Sequence, residues 1–146
     1  MKKYSAIFID TWGFLALGHR RDSYHQQVKQ IYAEMLSAKI PMYTSDYVLD
    51  EVMTLMFKRE IFQDAVKFVE GIFKAREIGN LRIERVNSEV FQAAWELRLK
   101  FQDKPEISFT DLTSMVIMRE RGIHYVLTGD EHFIQVGMGF VRIPKV

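Results

Sequence analysis

The chain has 146 residues, 48% hydrophobic and 27% charged, which suits one globular domain with a sizeable core and excludes a disordered chain. A formal net charge of +1 leaves overall charge silent about partners, and the absence of cysteine excludes disulfides, thiolate metal ligands and a cysteine nucleophile. The composition agrees with a reducing cytoplasm. Near the N-terminus Asp10 cuts the apolar run too early for a signal peptide, and nothing approaches the roughly 20 apolar residues of a membrane span, so the expectation is a cytoplasmic protein.

The run AIFI at 6–9 predicts a buried central strand that ends at Asp10; the ordinary alternative for Asp10 is a strand-end turn formed with Thr11 or Gly13. In SYHQQVKQIYAEMLSAK, Tyr24, Val28, Ile31, Tyr32 and Met35 recur at helical spacing, and Pro41 ends that region. MYTS at 42–45 is a short strand. A second helix, SDYVLDEVMTLMFKR, has Ser45 and Asp46 as cap candidates and Val48, Val52, Leu55 and Met56 on one face.

A third helix, FQDAVKFVEGIFKAREIG, is expected to point Phe62, Ala65, Val66, Val69, Ile72 and Phe73 inward and to close at Gly79 and Asn80. LRIERV alternates as a strand, with Leu81, Ile83 and Arg85 on one side. SEVFQAAWELRLKF is a fourth helix, with Trp95 and the helical phenylalanines assigned to the core. After the loop QDKPE, SFTDLTSMVIMRERG forms a fifth helix stopped by Gly122. HYVLTGD is a strand ending at Asp130, and GFVRIPK is a last or edge strand. The methionines read as core packing or an apolar partner surface. Strands alternating with helices of this length predict an α/β fold: a parallel sheet with helices on both faces and right-handed crossovers.

In such sheets the ligand crevice lies beyond the C-terminal ends of the strands, where Asp10 and Asp130 fall. Glu51 and Asp111 border the apolar stripes of their helices. Each acid alone has an ordinary explanation. Asp10 ends a strand, Asp130 sits in a TGD turn, Glu51 is a helix-edge acid for a lysine, and Asp111 has capping-box spacing to Ser108. Together they are harder to dismiss, because clustered carboxylates take up protons unless a cation neutralises them. Mg²⁺ or Mn²⁺ prefers such oxygen donors.

Four segments carry a resemblance: FIDTW with Asp10 and Thr11, SDYVLDEVMTLM with Glu51, ISFTDLTSMVIMRERGI with Asp111, and YVLTGDEHF with Asp130 and an inward Phe133. In order, spacing and context, the chain resembles the PIN-domain family, and more narrowly the VapC-type ribonuclease toxins of type II toxin–antitoxin modules. The likeness covers nearly the whole chain as one nuclease domain, 1–146. It implies a three-layer sandwich with a roughly five-stranded parallel sheet, and Mg²⁺- or Mn²⁺-dependent cleavage of RNA. It also implies a homodimer and a small antitoxin partner. One departure is Trp12, where the family often has a smaller residue.

By that resemblance Asp10, Asp111 and Asp130 hold one metal, or two about 3.5–4 Å apart, and Glu51 helps to hold a coordinated water or the second ion. Thr11 and Thr128 are candidates to bond and orient the carboxylates. The basic clusters that contain Arg20, Arg21, Arg119 and Arg121 are solvated faces or RNA-phosphate contacts. His132 is either a surface residue or one that touches substrate. Other readings are a free-standing RNA-processing nuclease, a non-catalytic binding domain, and a haloacid-dehalogenase-like phosphatase. The last lacks its usual second aspartate, because Trp12 stands there.

Overall fold

The computed structural model describes residues 4–145. Its strands are β1 (Ile7–Ile9), β2 (Met42–Ser45), β3 (Leu81–Glu84), β4 (Tyr125–Leu127) and β5 (Val141–Ile143). They form one parallel sheet in the order β3-β2-β1-β4-β5. Helices α1 (Thr11–Gly18), α2 (His25–Ser37), α3 (Asp46–Arg59), α4 (Phe62–Glu77), α5 (Ser88–Lys100), α6 (Phe109–Arg121) and α7 (His132–Gln135) supply the crossovers. The expected α/β sandwich, a five-stranded parallel sheet flanked by helices, is the fold observed.

The centre of the sheet is apolar because both of its faces are covered. Ile7, Phe8 and Ile9 are fully buried, and so are Val126 and Leu127 beside them. Burial of each large side chain contributes about 1.5–3 kcal/mol. From β1 the chain moves outward through β2 to β3. Helices α5 and α6 then return it past β1 to β4. The strand order therefore reverses between β1 and β4, which opens a crevice beyond the C-terminal ends of these two strands.

Local signals explain the helix starts on that rim. Ser45 accepts from the Val48 amide at 3.1 Å and starts α3. Ser108 accepts from the Asp111 amide at 3.0 Å and starts α6. Gly122, at φ 68°, ends α6 in the left-handed region that favours glycine.

The structure departs from the sequence reading at four places. The alternative of a turn at Thr11 or Gly13 does not hold: both lie in α1, a helix not expected because its apolar TWGFLALG carries no amphipathic period. Gly13 is needed there, because a Cβ would lie 2.8 Å from the Leu127 carbonyl oxygen of β4. Phe62 and Phe73 point outward (68% and 37% exposed), since α4 has apolar residues around more of its circumference than the sheet can cover. Trp95, at 47% exposure, lies on the outer face of α5 rather than in the core. Arg85 falls past the end of β3 and is exposed.

Candidate metal centre

Asp10 follows β1 directly and is the N-cap residue of α1, with extended backbone (φ −85°, ψ 169°), yet its carboxylate makes no capping bond. The side chain instead turns toward β4, where Thr128 Oγ1 donates to Asp10 Oδ2 at 2.9 Å. The same hydroxyl oxygen accepts from the Asp130 amide at 3.1 Å. One threonine thus joins the acids that end the two central strands.

Asp111 enters the crevice from the first turn of α6. Its backbone amide serves the Ser108 cap, while its carboxylate is left for the cleft: Oδ2 lies 2.9 Å from His132 Nδ1. That nitrogen is also 3.1 Å from Asp130 Oδ2. The His132 amide donates to Asp130 Oδ1 at 2.9 Å, so the turn after β4 folds back on its own acid. Glu51, half-buried on α3, accepts a 2.8 Å bond from Thr11 Oγ1. The fold brings all four predicted acids and both predicted threonines to one end of the sheet.

The electrostatics reflect this crowding. Asp10 is 3% exposed, and its pKa is pushed up to about 7, first by burial and then by the Asp111 charge, against the Thr128 bond and the nearby Thr11 amide dipole. Asp111 is also raised, chiefly by burial, with Asp130 and Glu51 adding repulsion while His132 opposes the shift. Burial disfavours the charged His132 ring, but the Asp111 bond and the charges of Asp130 and Asp111 leave its pKa raised overall.

Two observations show that a divalent ion fits this set. Asp10 Oδ1 is buried with no hydrogen-bond partner, which is costly for a carboxylate oxygen unless a cation meets it. Ligand atoms of Asp111, Asp130 and His132 all lie within 4.8 Å of one another. Asp10 and Glu51 stand outside that tightest trio but within reach of its charge.

The sequence did not reveal His132 as part of the centre: it is only partly exposed and bonded to two acids, not a surface histidine. Its D-x-H spacing matches no ligand signature. Arg142 was also missed. It donates to the Gly129 carbonyl at 3.3 Å, beside Asp130, from β5. Trp12 is half-buried over Gly129, 5.2 Å from the Tyr24 ring between centroids, and so covers the turn that carries Asp130.

The basic clusters, open to either reading, lie away from the acids. Arg20 and Arg21 follow the far end of α1, about 12 Å from Asp10 at 1.5 Å per residue. Arg119 and Arg121 end the helix that Asp111 opens, and Arg121 pairs with Glu84 at 2.6 Å. Arg20 and Arg21 line a groove of about 770 Å³ with α2 and α4, and none of the four cleft acids lines it.

Comparison with known proteins agrees with this geometry. The profile of the PIN domain matches residues 7–138. The chain is 34% identical over 137 residues to the 23S rRNA-specific endonuclease VapC20 of Mycobacterium tuberculosis, from two strains, across 93% of this chain and 98% of the relative. The crystal structure of M. tuberculosis VapC20, described as a sarcin-ricin loop cleaving toxin, superposes with a TM-score of 0.75 at 33% identity, over 93% of this chain and 97% of that one. VapBC2 from Rickettsia felis, bound to a promoter DNA fragment, shares the fold at 14% identity and a TM-score of 0.67, over 94% and 96%.

Proposed function

The chain belongs to the PIN-domain family, and from that premise we propose that it is a divalent-metal-dependent endoribonuclease, one nuclease domain acting as the toxin of a toxin–antitoxin pair. The observation that carries the reading is the buried, unpartnered Oδ1 of Asp10 beside the charges of Asp111 and Asp130. A non-catalytic binding module gains nothing from holding these acids together without a cation, and the second aspartate expected of a haloacid-dehalogenase-like phosphatase is replaced by Trp12.

Asp10, Asp111 and Asp130 would hold the ion, Mg²⁺ or Mn²⁺, with Glu51 at the rim. Once bound, it would polarise a phosphoryl oxygen and ease deprotonation of the attacking water. The chain's own residues set the geometry. Thr128 aims Asp10 and anchors the Asp130 amide through one hydroxyl. Thr11 fixes Oε1 of Glu51, which leaves Oε2 to orient the water or a second ion. Asp10 and Asp111 are both buried, which holds their carboxylates in place.

Similarity over 93% of the chain to a 23S rRNA-specific endonuclease makes structured ribosomal RNA the first substrate to test. The outward Phe91, Trp95 and Leu99, at successive turns of α5, support a protein partner, either a second copy or an antitoxin. No helix among the described residues is long and apolar enough to cross a membrane.

The test is incubation of the protein with ribosomes and total cellular RNA, with and without Mg²⁺ or Mn²⁺, with ends mapped by primer extension. Discrete metal-dependent cuts that vanish in a folded Asp10→Asn protein support the nuclease. Equal cutting by that variant, or none by the wild type with either ion, overturns it. Growth arrest on expression, relieved by co-expression of a short reading frame found beside the gene, supports the toxin role; absence of arrest favours a processing nuclease.

A further inference from the structure

We propose that His132 is itself a ligand of the cleft's divalent ion, through Nδ1, and that this nitrogen biases the site toward Mn²⁺ over Mg²⁺. The inference rests on the metal-nuclease reading and adds a donor to the carboxylates named there. Three lines of geometry support it.

The first is spacing. Nδ1 stands 2.9 Å from Asp111 Oδ2 and 3.1 Å from Asp130 Oδ2. Neighbouring ligands about 2.1 Å from an octahedral ion lie about 3.0 Å apart, so these atoms already have the separation of adjacent ligands. The second is restraint. The His132 amide is bonded to Asp130 Oδ1, and the next residue, Phe133, is fully buried, so the backbone cannot carry the ring away from the acids. The third is independent of the histidine: the orphan Oδ1 of Asp10, 3% exposed, belongs to an acid that feels the charges of both Asp111 and Asp130.

Donor chemistry sets the consequence. Carboxylate and water oxygens serve Mg²⁺ and Mn²⁺ alike, whereas imidazole favours the first-row transition ions. A nitrogen on the inner face of the cleft therefore separates two ions that a purely carboxylate site treats similarly. The competing arrangement is an ion pair, in which a protonated His132 neutralises Asp111 and Asp130 until a metal displaces it.

Pulsed electron paramagnetic resonance of the Mn²⁺-loaded protein distinguishes the two, since a directly bound imidazole gives strong ¹⁴N coupling and a displaced ring at most a weak one. The wild type, His132→Asn and His132→Ala are compared, with thermal unfolding as the check on folding. Asparagine places an amide oxygen near the position of Nδ1. The expected result is strong ¹⁴N coupling in the wild type alone, and a preference for Mn²⁺ over Mg²⁺, read by competition titration, that falls about tenfold or more in His132→Asn. Mn²⁺ bound without strong nitrogen coupling, with the same Mn²⁺/Mg²⁺ ratio in both variants, overturns the ligand role but leaves the nuclease reading standing. Failure of the wild type to bind either ion overturns both.

Discussion

Thr128 and Asp10 are 118 residues apart in the chain and joined by a 2.9 Å hydrogen bond in the cleft. That bond satisfies one oxygen of a buried carboxylate whose other oxygen has no partner. Thr128→Val keeps the shape of the side chain and removes the donor. Its expected effect is a loss of about 1–3 kcal/mol in stability at pH 8, where Asp10 is charged, with a smaller loss at pH 5. Urea unfolding at the two pH values measures the difference.

Asp10→Asn removes a repelled charge and keeps the volume. In the metal-free protein its melting temperature at pH 8 should equal or exceed that of the wild type. The same variant should lose the stabilisation that Mg²⁺ or Mn²⁺ gives, and its RNA cleavage should fall more than about a hundredfold. Calorimetric scans with chelator and with excess metal, beside a cleavage assay, read all three. A melting temperature well below the wild type in chelator would count against the strained-carboxylate account.

Stability of the metal-free protein should fall as pH rises from about 4 to about 7. The folded state holds the Asp10 proton up to about 7, while the unfolded chain releases it near 3.8. Between these values the folded state binds more protons, so raising the pH favours unfolding. Divalent metal removes the penalty on the charged form, and its stabilising effect should be larger at pH 8 than at pH 5.5. Thermal shifts across a pH series, with and without Mn²⁺, test both slopes.

Gly129→Ala should disturb the site through Trp12. An added Cβ would collide with the indole, which must then move off the turn before Asp130. Overpacking of this kind costs about 1–3 kcal/mol. Here it should also weaken metal binding and change Trp12 fluorescence, whereas Gly71→Ala, with open space around it, should do neither.

Much of this was legible in the sequence. Strand runs such as AIFI and YVL, separated by capped helices, predicted the parallel sheet, because both its local period and its caps are short-range signals. The acids could be gathered because the C-terminal ends of strands fall on one side of such a sheet. Helix α1 was not legible: an apolar segment with two glycines has neither period nor propensity. Nor was the four-residue α7, which exists because Phe133 anchors it to the core. His132 escaped for the same reason, since its role comes from the turn that α7 fixes and from Asp111 on another helix. Phe62 and Trp95 were misplaced because apolar spacing does not tell which of two apolar faces meets the sheet.

The reversal of strand order between β1 and β4 has a consequence for synthesis. Asp10 is made before its partners Thr128 and Asp130, which come more than a hundred residues later. A nascent chain that has built β1, β2 and β3 has a hydrophobic scaffold with Asp10 and Glu51, but neither Asp111 nor Asp130. The full acidic cluster therefore comes together only when β4 docks beside β1.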